Sequence, residues 1–183
     1  SDSLGNRLAN SSSSVPGFDP RSYRAEGYAM VSGLTFLHHL CLFCHHLNQL
    51  PVKKLYCDNL GLVRKLTYFF TYRLAPIKCV LHSEYDVLAQ SFLLLQAYSV
   101  TPEILHVKGH QDAVRQWYEL TRMETLNVRA DTHATTALQA NTTPPKHIHM
   151  IPSSKIALRI RDIDITSHYA THLRKAATRP ALE

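Results

Sequence analysis

The sequence of 183 residues has no apolar run of the length that a transmembrane helix needs. Its most apolar stretch, residues 34–47 (LTFLHHLCLFCHHL), is broken by histidines and falls short of the roughly 20 residues that cross a bilayer. A signal-peptide pattern is also lacking. We therefore expect neither a membrane protein nor a secreted one, and we predict an intracellular location, in the cytoplasm or the nucleus.

Cysteine is scarce, and no spacing of a disulfide framework is visible. The thiols lie in apolar surroundings, at Cys41, Cys44, Cys57 and Cys79. Such cysteines are typical of reduced core positions in intracellular proteins. The histidines beside the first two suggest a zinc site, but only His38, Cys41 and His45 can converge on one helix face. A structural zinc takes four ligands, so the pattern favours a core thiol on a helix with a solvated face.

A polybasic arm is missing as well, although the chain is basic overall. Lysine and arginine together number 20 against 14 acidic residues, which gives a net charge of +6 and a pI near 9.2. The basic residues are scattered along the chain. This balance suits a polyanionic partner such as nucleic acid without identifying one.

Hydrophobic periodicity predicts an alternation of helices and short strands. Helices are predicted at 22–47, 59–71, 83–98, 127–139 and from about 166, and strands at 53–58, 103–109 and 155–160. This order indicates an α/β fold with parallel strands joined by helical crossovers. Residues 1–140 are predicted to form one domain. The proline-containing stretch 141–147 (NTTPPKH) opens a linker and C-terminal appendage that covers 141–183.

The same periodicity predicts which helix positions face the core. In the first helix they are Met30, Gly33, Leu37, Leu40, Cys44 and Leu47. In the next two helices they are Leu62, Leu66 and Phe69, then Tyr85, Leu88, Phe92 and Leu95. Ser83 is the predicted N-cap of the third helix. The last helix of the domain is predicted to turn Asn127, Asp131, Ala134 and Leu138 to one side.

Three carboxylates occupy positions that are costly for a charge. Glu26 shares the core stripe of the first helix, Asp58 ends a buried strand, and Asp131 lies on the inward side of a helix of small residues. Ligands gather at the carboxyl ends of strands in open α/β sheets. Acids converging there repel one another unless a cation neutralises them, and hard oxygen ligands favour Mg²⁺ or Mn²⁺. Two such ions about 4 Å apart would activate water and stabilise the leaving oxygen of a phosphodiester.

Each of these residues also has a simpler interpretation. Glu26 would be a surface residue if the helix phase is wrong, Asp58 could cap the helix that follows it, and Asp131 could be solvated.

Two aromatic residues of the polar loop, Trp117 and Tyr118, could stack on a base or sugar. We predict instead that they pin the loop onto the core.

Four segments resemble, in order and spacing, the signature segments of type 1 ribonuclease H domains of retroelement polyproteins. They are SYRAEGYAMVSGLTFL (22–37), YCDNLGLVRKL (56–66), HVKGHQD (106–112) and LNVRADTHATTAL (126–138). The resemblance covers roughly residues 1–140. It implies an RNase H-like fold, a mixed five-stranded sheet flanked by helices. It further implies a hydrolase, an endonuclease that cuts the RNA strand of an RNA–DNA hybrid next to a reverse transcriptase domain in the same polyprotein.

By position, the resemblance makes Glu26, Asp58 and Asp131 catalytic ligands of the two Mg²⁺ or Mn²⁺ ions. His110 matches the mobile-loop histidine associated with product release or proton transfer. Asn59 and Lys108 fall at positions that contact the nucleic acid.

The sequence departs from the family at its start. The family's first acid lies on its first strand, which is also the central one, and both are expected to be absent here; Asp2 falls in a turn at the wrong end of the hairpin. We therefore expect an N-terminally truncated domain with an incomplete sheet, inactive or nearly so as this stretch alone. The alternatives are a non-catalytic nucleic-acid-binding relic and a structural domain of a polyprotein.

Overall fold

A computed structural model describes residues 15, 22–43, 54–72, 84–98, 102–140, 158–165 and 168–178 of the chain. The helices are α1 (Ser22–Phe43), α2 (Leu60–Tyr72), α3 (Tyr85–Gln96), α4 (Arg122–Ala140) and α5 (Tyr169–Thr178). The strands are β1 (Lys54–Cys57), β2 (Glu103–His106), β3 (Leu158–Ile160) and β4 (Ile163–Ile165). Outside the described residues lie the predictions for Cys44, Leu47, Cys79, Ser83 and the 141–147 linker, and the side chain of Phe69 is not described.

Strands β1 and β2 form a parallel pair, with Lys54 opposite Glu103 and Cys57 opposite His106. Helices α2 and α3 lie between them in the chain, so the predicted α/β arrangement of parallel strands joined by helices is confirmed. The described part of the chain is mostly helical and contains two sheets of two strands each. It does not form the five-stranded sheet that the resemblance implies.

The core lies between the first strand and the helices that flank it. Its central cluster consists of Cys57, Leu62, Val63, Leu66 and Leu88. Tyr23, Met30, Tyr85, Phe92 and Ile104 pack around this cluster. The predicted core positions of α2 and α3 are thus confirmed for every residue whose side chain is described. Both helices bury the apolar stripe that the helical period predicts.

The buried face of α1 matches the predicted one only in part, because Met30 and Leu37 pack against buried clusters while two other predicted positions do not. The helix buries Arg24, Gly27, Leu34 and Cys41. Gly33 and Leu40 were predicted to face the core, but a Cβ on Gly33 would meet no atom within 4 Å, and Leu40 is 38% exposed. The face is rotated because α1 packs closely on α3: a Cβ on Gly27 would lie 2.5 Å from Val87 Cγ1.

A buried ion-pair network explains why Arg24 can lie on that face. Its guanidinium pairs with Glu84, and its Nη2 lies 3.0 Å from Asp86 Oδ2. Tyr28 adds a ring contact, with the Arg24 Cζ 4.9 Å from the ring centroid. Glu84 precedes α3 in a left-handed conformation with φ 62°. Because both acids come from the start of α3, the network joins α1 to α3, and a charged residue takes a position that an apolar stripe would not predict.

Helix α4 begins five residues before its predicted start at 127, since Thr121 and Glu124 form a capping box. The Thr121 N–H donates to Glu124 Oε2 at 2.8 Å, and the Glu124 N–H donates to Thr121 Oγ1 at 3.3 Å. The predicted inward face is wrong in its second half, because Ala134 is exposed and Leu138 is 70% exposed.

The C-terminal segment contains a hairpin and a helix. Strands β3 and β4 pair antiparallel across a two-residue turn, Arg161 and Asp162, whose φ angles are both positive (49° and 62°). Such a turn matches the twist of a hairpin. The sequence predicted the first strand and the helix but not β4. None of the helices in the described ranges is long and apolar enough to cross a membrane.

Candidate metal centre

The carboxyl end of β1 brings two of the predicted acids together. Asp58 directly follows the last residue of β1, and Glu26 lies on the second turn of α1. Three residues, Glu26, Cys57 and Asp58, each offer one ligand atom here. These three atoms lie within 4.8 Å of one another. The prediction that a strand-end aspartate meets a carboxylate of α1 therefore agrees with the observed placement.

Asp131 approaches this cluster from α4 but is not part of the group within 4.8 Å. Its Oδ2 atom is buried and has no hydrogen-bond partner. The imidazole ring of His110 is close to it, with Nδ1 3.9 Å from that oxygen. The side chain of His110 is itself 85% exposed, so it compensates the carboxylate only weakly. An orphaned carboxylate oxygen beside two other acids is a position where a cation would be stabilising.

Three neighbours that the sequence did not assign position Asp58. Asn127 Nδ2 donates to Asp58 Oδ2 over 3.4 Å, and a ring nitrogen of His106 lies 3.1 Å from the Asp58 carbonyl oxygen. Gly109 allows a close approach, since a Cβ there would lie 3.1 Å from Asp58 Oδ2. The sequence contained one signal for this set, because Asn127 lies one helical turn before Asp131.

The electrostatics of the centre favour a proton or a cation. Burial, together with repulsion from Asp58 and Asp131, raises the pKa of Glu26 to about 7. The Cys57 thiol opposes this shift by donating to Glu26 Oε2 across 3.7 Å. Burial and the charge of Asp58 also raise the pKa of Asp131, which His110 partly offsets. The free centre therefore carries excess negative charge as soon as all three acids ionise.

This donor set fits a hard divalent cation. Carboxylate oxygens are the ligands that Mg²⁺ and Mn²⁺ prefer. Cys57 is a poor ligand as it stands, since burial raises the pKa of its thiol to about 12 and keeps it protonated. Glu26 and Asp58 would thus hold a cation, and the unpaired oxygen of Asp131 would supply a further ligand.

The remaining predicted site residues surround the centre. His110 precedes the 3₁₀ turn Gln111–Ala113 with a positive φ of 52°. Lys108 is exposed one residue before Gly109. Asn59 caps α2, because its Oδ1 accepts the N–H of Leu62 at 3.1 Å. The capping role considered for Asp58 is therefore filled by Asn59, which leaves the Asp58 carboxylate beside Glu26.

Two predictions for cysteines and aromatic residues have different outcomes. Cys41 and Cys57 are buried free thiols, as predicted. The prediction that Trp117 and Tyr118 pin their loop onto the core is wrong, because they are 52% and 84% exposed. Polar contacts hold this loop, among them an ion pair between Arg115 and Glu124.

Comparisons of the chain with protein-family models, with curated proteins and with solved structures find no match. The functional interpretation therefore depends on the four sequence segments and on the geometry of the carboxylates.

Proposed function

We propose that the chain is an RNase H-like domain of retroelement origin that hydrolyses the RNA strand of RNA–DNA hybrids. One observation carries the proposal: Glu26 and Asp58 meet at the carboxyl end of β1, within a group of ligand atoms no more than 4.8 Å apart. Asp131 adds an unpaired oxygen from α4. These are the three acids, on the three elements, that the resemblance assigns to metal binding.

Divalent ions held by these carboxylates would activate water and stabilise the leaving oxygen of the RNA backbone. The residues of the chain have separate roles around that chemistry. Asn127 orients Asp58 through its hydrogen bond. His110, exposed and beside Asp131, is placed to exchange a proton with the departing strand. Lys108 is exposed on the same rim and would contact a phosphate.

The ion-binding part of the proposal has a direct test. Thermal unfolding of the 183 residues is followed with and without Mg²⁺ or Mn²⁺, for the wild type and for Asp58→Asn. We expect the ions to raise the melting temperature of the wild type only, since a ligand of the native state stabilises it. The matched control is Asp162→Asn in the exposed turn of the β3–β4 hairpin. Equal stabilisation of Asp58→Asn would remove Asp58 from the site.

Cleavage is measured on a labelled RNA–DNA hybrid in Mg²⁺. The resemblance calls for a further aspartate on a preceding strand, so the assay compares the 183 residues with a chain extended upstream in its own reading frame. We expect cleavage from the extended chain and little or none from the shorter one. Asp58→Asn should abolish cleavage by the extended chain while hybrid binding persists. Strong cleavage by the 183 residues alone would show that the acids described here suffice.

A non-catalytic nucleic-acid-binding module is the second candidate. The position of Asp131 favours it, because this carboxylate lies outside the group of ligand atoms within 4.8 Å. A domain that no longer binds metal ions does not need Asp131 within ligand distance of Glu26 and Asp58. Hybrid binding without cleavage by the extended chain would support this candidate over the nuclease.

A further inference from the structure

The loop between His110 and α4 exposes two consecutive aromatic side chains. Trp117 is 52% exposed and Tyr118 is 84% exposed, and both belong to the 3₁₀ turn Trp117–Glu119. Aromatic side chains supply much of the apolar area that a fold buries. Two consecutive rings that stay exposed therefore mark a candidate binding surface.

This turn is held by its own hydrogen bonds. The Gln116 N–H donates to Glu119 Oε2 at 2.9 Å, and the Glu119 N–H returns a bond of 2.9 Å to the Gln116 carbonyl. Arg115 donates to Gln111 Oε1 at 3.0 Å and pairs with Glu124 on α4. The rings therefore project from a fixed backbone, which lowers the entropy cost of binding a ligand there.

The charges around the rings select the class of ligand. The Arg129 guanidinium carbon lies 5.9 Å from the centroid of the Trp117 ring, and Arg129 is exposed. The nearby acids are already engaged, Glu124 by Arg115 and Glu119 by the Gln116 N–H. A planar group that carries a negative charge beside it would meet the Trp117 ring and the Arg129 cation.

The location ties this surface to the carboxylates. Arg129 and Asp131 both lie on α4, but residues two positions apart leave a helix on different sides, so the link between the rings and the carboxylates is the loop itself. The loop starts at His110, whose Nδ1 lies 3.9 Å from Asp131 Oδ2. The loop that carries the two rings therefore begins beside the carboxylates.

We propose that Trp117, Tyr118 and Arg129 form a stacking site for an unpaired nucleobase of a single-stranded segment beside the carboxylate centre. Bases stack on aromatic side chains whatever their sequence, and Arg129 would pair with the adjoining phosphate. The inference rests on the proposed function and extends it: the substrate includes a single strand that continues past the double-stranded hybrid.

The test uses the single tryptophan of the chain as its reporter. The full chain in EDTA, which prevents cleavage, is titrated with a deoxythymidine oligonucleotide of about 12 residues, long enough for one binding site. We expect strong quenching of the Trp117 emission on stacking. Tyr118→Ala should weaken binding by roughly 5- to 100-fold, the range found for loss of one stacked base. Arg129→Gln should reduce the dependence of affinity on salt by about one ion.

Phe43→Ala is the matched control, since Phe43 is an aromatic residue with 83% exposure at the far end of α1. It should leave affinity and quenching unchanged. Binding without quenching, or equal affinity of the Tyr118→Ala variant, would overturn the stacking site. An emission change that depends on protein concentration alone would also overturn it and assign the surface to a second copy of the chain. Hybrid cleavage is scored separately, so quenching without cleavage would reject only the nuclease function.

Discussion

Replacing Glu26 by glutamine should stabilise the free protein at alkaline pH. In the fold, burial and the charges of Asp58 and Asp131 raise the pKa of Glu26 to about 7, against an ordinary value of 4.5. A raised pKa means that the stabilising effect of the protonated form is fully present below pH 4.5 and is lost as the pH rises through 7. Glutamine has the same shape and no charge, so its variant does not lose this stabilisation.

The magnitude follows from the shift. Each pKa unit corresponds to about 1.4 kcal/mol, so the rise from 4.5 to about 7 gives roughly 3.5 kcal/mol as an upper bound for this change. Glu26 is only half-buried, and solvent screening reduces the effect to about 1–2 kcal/mol. We therefore expect Glu26→Gln to exceed the wild type by that amount at pH 8, and the two proteins to be nearly equal at acid pH.

Urea unfolding at about pH 4.5 and pH 8, in EDTA, measures this difference. Glu103→Gln is the matched control, because Glu103 is exposed on β2 and pairs only loosely with Lys54 across 3.9 Å. The change in the free energy of unfolding caused by Glu103→Gln should stay within about 0.5 kcal/mol at both pH values. A gain for Glu26→Gln that does not grow with pH would refute the close packing of these carboxylates. At pH 8, added Mg²⁺ should make the wild type more stable than Glu26→Gln, since only the wild type retains the full set of ligands.

Three further predictions concern the framework of the centre. Gly27→Ala should destabilise the fold by about 1–3 kcal/mol in thermal unfolding, because its Cβ would lie 2.5 Å from Val87 Cγ1. Gly33→Ala on the same helix, with open space around it, should instead stabilise by about 0.5–1 kcal/mol; equal effects of the two changes would contradict the α1–α3 packing. Arg24→Met should cost about 3–5 kcal/mol, because it leaves buried acids at the start of α3 without their cation; a neutral result in denaturant unfolding would mean that the network is solvated. Asn59→Ala should cost about 1 kcal/mol through the lost cap of α2, and Asn59→Asp should largely preserve stability in the same assay.

The core residues of α2 and α3 were largely predictable from sequence. Leu62 and Leu66 on α2, and Leu88 and Leu95 on α3, are all buried as the helical period predicts. This works because each helix buries one apolar stripe, whichever elements cover it. The capping box of α4 was not predicted, although residues 121–124 carry its Thr-x-x-Glu pattern.

Two of the failed predictions depended on contacts between distant segments, and a third on hydrogen bonds within one loop. Arg24 is buried only because acids some 60 residues later pair with it. The orientation of α1 depends on the fit of Gly27 against Val87, which no periodicity reports. Trp117 and Tyr118 are exposed because the loop forms its own hydrogen bonds, so it does not need the rings as an anchor.

For the candidate site, the sequence by itself determined which acids are present and on which elements they lie, because the position of a residue along a helix or at the end of a strand is a local property. Only the tertiary structure decided that Glu26 and Asp58 meet beside Cys57, that Asn127 and Gly109 support Asp58, and that Asp131 keeps an unpaired oxygen. Those relations join segments up to about 100 residues apart in the sequence, and the packing of α1, β1 and α4 sets the distances between their side chains.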